Sequence, residues 1–481
     1  MKIKTAFMAL LLLGIVIAGP ARAEAEDDVG MPMLRGALVK VHFTTQGWSL
    51  ESPWQKGSPR SQSMRGVVVL PGLVLAPANY LADLIMVEVS EVNSARRYPA
   101  SLAHIDYGAN LALIKIEDEG LRSRTAPLPL AEPVTIDDEF DVWQLGDSDL
   151  LERYTGRVQR VYVQAPRLQL QIKTNLADRG DGQPMIRKSG LAGLVVATYA
   201  SRQEGQVISV ETISRFLEDY KSGDERGYAG GGLWFQEMLR DDLRAHHKVP
   251  EDEHGLLVSN VVPGRTGHGV LEVGDVITHI AGHDLDDEGM YAHEKHGRIS
   301  GQFLMFCGPP AGTEVAARIL RDGEAKDVMI PLRGWPVEAQ RVPAQMYDQR
   351  PPYYILGGMV ILELNYRSNA QDHSLREYRA RAWWDHPSER KRIVYANRVL
   401  SDPANKGLDD LFQSPILTVN GKTITRIQDI PPALEHPVRG FHVVTFEGVD
   451  APFVVKADER DEIDKRIAER YLVSELFYLG E

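Results

Sequence analysis

Few residues of this 481-residue chain have a type and spacing that support chemistry on their own. The single cysteine, Cys307, excludes an intrachain disulfide and a cysteine-based zinc site. The fourteen histidines are scattered, and the pair His246-His247 has no third ligand at metal spacing, so neither a metal nor another cofactor is expected. Arg376, Arg379, Arg381 and Arg390-Lys391-Arg392 surround Trp383 and Trp384, the residue types of a phosphate-binding surface, but Glu377, Asp385 and Glu389 dilute the charge. A net charge of −13 repels a duplex, so no nucleic-acid partner is expected and the cluster reads as a solvated helix face with its tryptophans packed inward. Arg179-Gly180-Asp181 has the composition of an adhesion tripeptide, yet it lies inside a glycine-rich turn with another reading, given below.

The elements that must hold any site fall into blocks. At this length about three domains of roughly 100–200 residues are expected. Lys2 and Lys4, the apolar run 6–18 and Ala21-Arg22-Ala23 have the charge, length and small residues of a signal peptide over residues 1–23, cut after Ala23. That predicts a periplasmic or secreted chain, and no other stretch is long and apolar enough for a stable membrane span. Residues 31–221 carry short alternating apolar runs (37–43, 66–70, 84–89, 111–116, 161–163, 168–172 and 194–198), whose spacing predicts a sandwich or barrel. Val210, Ile213, Phe216 and Leu217 then fall at helical spacing. Residues 227–335 and 353–481 form two further blocks of mixed strands and helices, joined by a proline-bearing segment. Ile416–Gly421 answers Ile277–Gly282, a strand ending in a glycine turn, which points to a weakly preserved duplication of a module of about 100 residues.

Val261-Val262-Pro263-Gly264, then Leu271 to Ile277 with its Gly274-Asp275 step, then Leu320 to Gly323, resemble a PDZ domain of the HtrA/Deg protease family. Pro352 to Gly358, Arg392 to Val394, Leu400 to Asp402 and Val419 to Gly421 are similar to the divergent second PDZ domain of plant-type Deg proteases. The resemblance covers nearly the whole chain after Ala23. It implies a mainly β chain: a trypsin-like double β-barrel followed by two PDZ-like α+β domains.

Active members of that family place a histidine, an aspartate and a serine in three recognisable frames. Leu75-Ala76-Pro77-Ala78-Asn79-Tyr80 matches the first, with Asn79 at the histidine position. Asp106 to Lys115 matches the second, with Asn110 at the acid position, and Arg179 to Pro184 matches the third, with Asp181 at the serine position. Acyl transfer needs a hydroxyl nucleophile, an imidazole to take its proton and a carboxylate to orient that imidazole. An amide has no useful basicity near neutral pH, and a carboxylate is a poor nucleophile that repels a developing oxyanion. Arg179 replaces the first glycine of the frame, which puts the oxyanion hole in doubt. Losing a triad member costs on the order of 10⁴–10⁶ in rate, so no catalytic residue is assigned. His42, His104 and Ser189 read as structural residues and not as replacements.

A PDZ domain binds an extended peptide at a strand edge, with backbone amides on its terminal carboxylate. The resemblance makes Gly230-Gly231-Gly232-Leu233 the candidate carboxylate loop and Leu233–Gln236 the edge strand, with Trp234 an apolar anchor or a cap on the core. A flexible linker is the other reading of the three glycines. The expected function is that of an exported pseudoprotease, a binding or scaffolding protein for peptide C-termini or unfolded segments. The resemblance also implies a homo-oligomer or a mixed assembly with related proteases. The alternative is an active serine endopeptidase.

Overall fold

The computed structural model describes residues 31–480 except Asn93, 146–149, 177–179, Ser189, Glu225, 335–338, Gln345, 369–372, 382–389 and 408–412. The signal-peptide expectation therefore lies outside the described residues, as do Arg179, Ser189, Trp383 and Trp384. After a short helix α1 (Met31–Ala37), six antiparallel strands close into a barrel in the order β1-β2-β3-β6-β5-β4. They are β1 (Leu38–Thr45), β2 (Arg60–Leu70), β3 (Leu73–Pro77), β4 (Leu84–Glu91), β5 (Tyr98–Asp106) and β6 (Leu111–Ile116). Helix α2 (Glu119–Arg124) leads to a second closed barrel, β10-β11-β12-β9-β8-β7. Its strands are β7 (Glu139–Leu145), β8 (Leu151–Gln164), β9 (Arg167–Thr174), β10 (Gln183–Arg187), β11 (Gly190–Tyr199) and β12 (Glu204–Ser209). Closure removes the edges that a sheet would otherwise expose. Helix α3 (Val210–Ser222) ends the unit: Ser209 caps its start and Gly223, at φ +68°, its end. It buries Val210, Ile213, Phe216 and Leu217, the face expected from their spacing.

The next module is an open antiparallel sheet in the order β13-β14-β15-β19-β20. It contains β13 (Leu233–Glu237), α4 (Asp241–His246), β14 (Leu256–Val261), β15 (Val276–Ile280), the spur β16 (His283–Asp284) and a hairpin of β17 (Met290–His293) and β18 (Gly297–Ser300). Helix α5 (Gln302–Phe306), β19 (Glu314–Arg321) and β20 (Glu324–Pro331) complete it.

The third module begins with β21 (Tyr353–Leu356) and β22 (Met359–Glu363), followed by α6 (His373–Arg381), β23 (Val394–Val399), β24 (Ser414–Val419) and a spur, β25 (Lys422–Thr423). Helix α7 (Ile430–Leu434), β26 (Phe441–Phe446), β27 (Val449–Lys456), α8 (Arg460–Tyr471) and β28 (Phe477–Tyr478) follow, and the sheet runs β27-β26-β24-β23-β22-β21-β28. The fold is thus mainly β, a double barrel followed by two α+β modules. One detail differs from expectation. Arg390 and Arg392 are not on a solvated helix face; they lie beyond α6, largely buried, paired with Glu447 at 3.1 Å and Glu363 at 3.6 Å. The strand bearing Glu363 and the turn bearing Glu447 bring in counter-charges that no local pattern reveals.

The units are tied together. The segment between β1 and β2 buries Trp54 in the core of the third module, 6.3 Å from the Tyr353 ring, and Asn397 Nδ2 donates to Leu50 O at 2.8 Å. Asp348, before β21, accepts from Asp83 N at 2.6 Å and from Tyr107 OH at 2.5 Å.

Candidate functional site

The three frames meet between the barrels. Asn79 lies in a 3₁₀ turn, Ala78–Tyr80, at the end of β3, and Asn110 directly precedes β6 with φ +57°, a left-handed conformation that asparagine tolerates better than most residues. Neighbouring β3 and β6 bring them together: Asn79 N–H donates to Asn110 Oδ1 at 2.9 Å, and Ala78 N–H to Asn110 O at 3.2 Å. The Asn110 amide oxygen is thus engaged by backbone, while the Asn79 side chain is exposed to solvent.

Asp181 sits in the turn before β10, and Gly180 and Gly182 flank it at φ +71° and +102°. A Cβ on Gly182 would fall 2.3 Å from Arg65 O and 2.9 Å from Pro77 Cδ, so only glycine lets this turn press against the first barrel two residues from Asn79. From β2, Arg65 crosses the interface. Its Nη1 donates to both carboxylate oxygens of Asp181, at 2.8 and 3.1 Å, while Arg65 N–H donates to Asp181 O at 3.0 Å. Both side chains are only 12% exposed. The position that the resemblance gives to the nucleophile holds one half of a buried ion pair.

The backbone amide of Asp181 is also engaged: it donates to Gln183 Oε1 at 2.9 Å. Gln183 is fully buried, and its Nε2 donates to Gln144 Oε1 at 3.3 Å. Gln144 Nε2 in turn reaches Glu152 at 2.9 Å and Tyr154 OH at 3.2 Å, a polar chain from the turn into the second barrel. An amide at this place, pointed outward and open, is what would receive a developing oxyanion. Here a side chain two residues downstream has taken it.

The two histidines of the barrel unit both have neighbours that engage them. His42 Nε2 hydrogen-bonds Ser90 Oγ at 3.0 Å, and the His104 ring packs on Phe216 and Tyr220 at 5.3 and 5.7 Å. The sequence reading missed Arg65 and Gln183. Gln183 stood in the frame beside Asp181, and a polar side chain where the family has glycine was the available signal.

The glycine loop is fixed, not a loose tether. Gly230 N–H donates to Arg333 O at 2.7 Å, Thr266 Oγ1 donates to Gly230 O at 2.9 Å, and Val262 N–H donates to Gly232 O at 2.8 Å. Gly232, at φ +135°, passes so close to Arg265 that a Cβ would lie 2.5 Å from the arginine Cβ. Leu233 and Trp234 then open β13, the outermost strand of its sheet, with Leu233 buried and Trp234 half-buried. A cavity of about 700 Å³ separates Gly230 and Gly231 from Asp106, Tyr107 and Gly108, the turn that leads to Asn110. Among the described residues no group of histidine, cysteine and carboxylate side chains is placed to hold a metal ion.

Residues 342–476 match a PDZ domain family. The chain is 24% identical over 407 residues to the putative mitochondrial protease Do-like 3 of Arabidopsis thaliana, covering 82% of this chain and 71% of the relative. It is 24% identical over 425 residues to mitochondrial protease Do-like 4 of the same organism, covering 86% and 80%. Among solved structures, the HtrA-type protease AlgW with decapeptide aligns with a TM-score of 0.48 and 16% identity over 63% of this chain and 98% of that one.

Proposed function

Because this chain belongs to the HtrA/Deg-type family of PDZ-containing proteases, and its triad positions carry Asn79, Asn110 and Asp181, we propose that it is a pseudoprotease that binds peptides without cleaving them. The observation that carries the reading is the Arg65–Asp181 ion pair. It fills the nucleophile position with a charge already neutralised from the opposite barrel, and Gln183 engages the adjacent amide. Neither asparagine is a base, so neither takes a proton from a hydroxyl. In this reading the double barrel is a scaffold, and binding belongs to the PDZ-like modules. The ligand edge is the Gly230–Trp234 stretch, and the ligands are peptide C-termini or unfolded segments. Self-association, or mixed assembly with active relatives, belongs to the same proposal. So does export after cleavage at Ala23, which sequencing of the mature N-terminus checks.

The test is turnover of casein or a fluorogenic peptide by the purified mature chain, together with labelling by a fluorophosphonate. No turnover and no label are expected. Turnover blocked by the fluorophosphonate overturns the proposal and makes the chain a serine endopeptidase.

A further inference from the structure

The two PDZ-like modules, the first holding β13 to β20 and the other being the third module described above, share one strand order. The order β13-β14-β15-β19-β20 corresponds to β22-β23-β24-β26-β27, with β16 and β25 as equivalent spurs on β15 and β24. The correspondence holds to single bonds. Gly232, at φ +135°, directly precedes β13 and accepts from Val262 N–H at 2.8 Å, just after β14. Gly358, at φ +92°, directly precedes β22 and accepts from Leu400 N–H at 2.7 Å, just after β23. Gly357 therefore stands where Gly231 stands in the first module.

The two differ at one edge. β13 is the outermost strand of its sheet, whereas β22 is covered by β21, antiparallel in the register Tyr353↔Leu362 to Leu356↔Met359, with β28 on the far side. β21 runs toward the glycine loop and stops at it, the direction taken by a peptide whose C-terminus reaches such a loop. Its four residues, Tyr353 to Leu356, are all buried. At the loop, Gly357 N–H donates at 2.7 Å to Oδ1 of Asp464, a residue of α8 that is 2% exposed. Burial pushes this carboxyl up to about 6, while the Gly357 N–H and Arg460 favour its charged form. Gly231 N–H, its counterpart, donates to no protein group among the described residues. The chain thus displays on one module what the other lacks.

We infer that the third module is closed by its own chain, with β21 in the place of a ligand strand and Asp464 in the place of a terminal carboxylate, so that an extended peptide with an apolar end and a free carboxylate enters only at β13 of the first module. For the first module this rests on the peptide-binding reading above; the closure of the third does not. Two measurements keep these apart.

Hydrogen exchange on the free protein reports the closure. Amides of Met359–Glu363 should exchange on the order of 100-fold more slowly than the outward-facing amides of β13, because a second strand pairs with them. Asp464→Ala should speed exchange at Gly357 at least about tenfold without changing Gly231. Met359–Glu363 exchanging as fast as β13 overturns the closure. Calorimetric titration then uses a decapeptide ending in Tyr-Tyr-Ile-Leu with a free carboxylate, a copy of the resident strand. One site per chain is expected, with protection appearing in β13. An amidated peptide should bind about tenfold or more weakly, as should the Gly231→Asp variant, whose new Cβ meets no atom within 4 Å. Two sites, or unchanged binding to Gly231→Asp, overturn the assignment to the first module. No binding at all removes peptide recognition at β13 and leaves the exchange result to decide the closure.

Discussion

At the scale of single residues, the site is defined by who partners Asp181. A carboxylate 12% exposed is stable there because Arg65 reaches it across the barrel interface. Removing one member of such a pair leaves a buried charge without its partner, at a cost of about 3–5 kcal/mol, whereas removing both costs much less. Arg65→Met should therefore lower the urea midpoint strongly, and Arg65→Met with Asp181→Leu should recover part of the loss; equal losses in both variants would mean that the pair is not coupled. A second prediction concerns Gln183. Rebuilding the triad with Asn79→His, Asn110→Asp and Asp181→Ser should leave hydrolysis undetectable while Gln183 holds the amide at position 181. Adding Gln183→Gly should raise the rate, since one oxyanion donor is worth about 10²–10³ in turnover. Peptidase assays of the three- and four-residue variants, with no difference between them, would sink the idea. The asparagines and Asp181 were legible because each lies in a local frame of a few residues. Arg65 was not, because its partner is 116 positions away and an arginine on an alternating strand reads as surface.

At the scale of elements, long apolar or strongly periodic segments were legible and polar strands were not. Residues 111–116 coincide with β6, and the helical spacing from Val210 coincides with the start of α3. By contrast only 161–163 of the fourteen-residue β8 is legible as a strand: exposed and less exposed residues alternate from Glu152 to Gln159, but the less exposed positions carry Glu152, Tyr154 and Gly156, and a bulge between Val158 and Arg160 shifts the phase. The segment between β1 and β2 was the larger omission. It reads as a polar loop, yet it carries Trp54, 6% exposed, into the core of the third module. Truncating a buried tryptophan costs about 3–5 kcal/mol. Trp54→Ala should then uncouple the third module, giving a separate, earlier calorimetric transition while the barrels melt as before. A single cooperative transition moved as a whole would show that the contact does not set the coupling. The β21–β28 closure escaped the sequence for a related reason: repeats reveal shared strands, whereas an added strand pair has no counterpart to be compared with.

At the scale of the whole molecule, the first module is docked on the barrels through a buried polar contact. His296, between β17 and β18, is 1% exposed at its side chain and meets Glu211 of α3 at 2.7 Å. His293 stacks on His296 at 4.7 Å, and Phe303 meets His293 edge-on at 5.5 Å. His293 Nδ1 accepts the N–H groups of Lys295 and His296, at 3.1 and 3.2 Å. Lys295 also pairs with Glu132 at 3.4 Å, and His283, Glu294 and Ser209 complete the polar surroundings. Burial, then the neighbouring His296, holds His293 below the ordinary histidine value. For Glu211 burial pushes upward, but hydrogen bonds from His296 and the backbone prevail and hold it below the ordinary carboxylate range. Both shifts have the same sign for stability. A separated, hydrated His293 takes up a proton near pH 6.5, before the docked one does, and a separated Glu211 near pH 4.5 does likewise. The docked form is therefore fully favoured above about pH 7, loses ground as pH falls through 6.5, and loses more below 4.5. Energy transfer between labels on the second barrel and on β20 should report separation growing from pH 7.5 to pH 4, with His293→Gln removing the upper step and Glu211→Gln the lower. A profile that stays flat, or one that both substitutions leave unchanged, would show that docking does not depend on these two protons, and the orientation of the peptide-binding edge relative to the barrels would then be independent of pH.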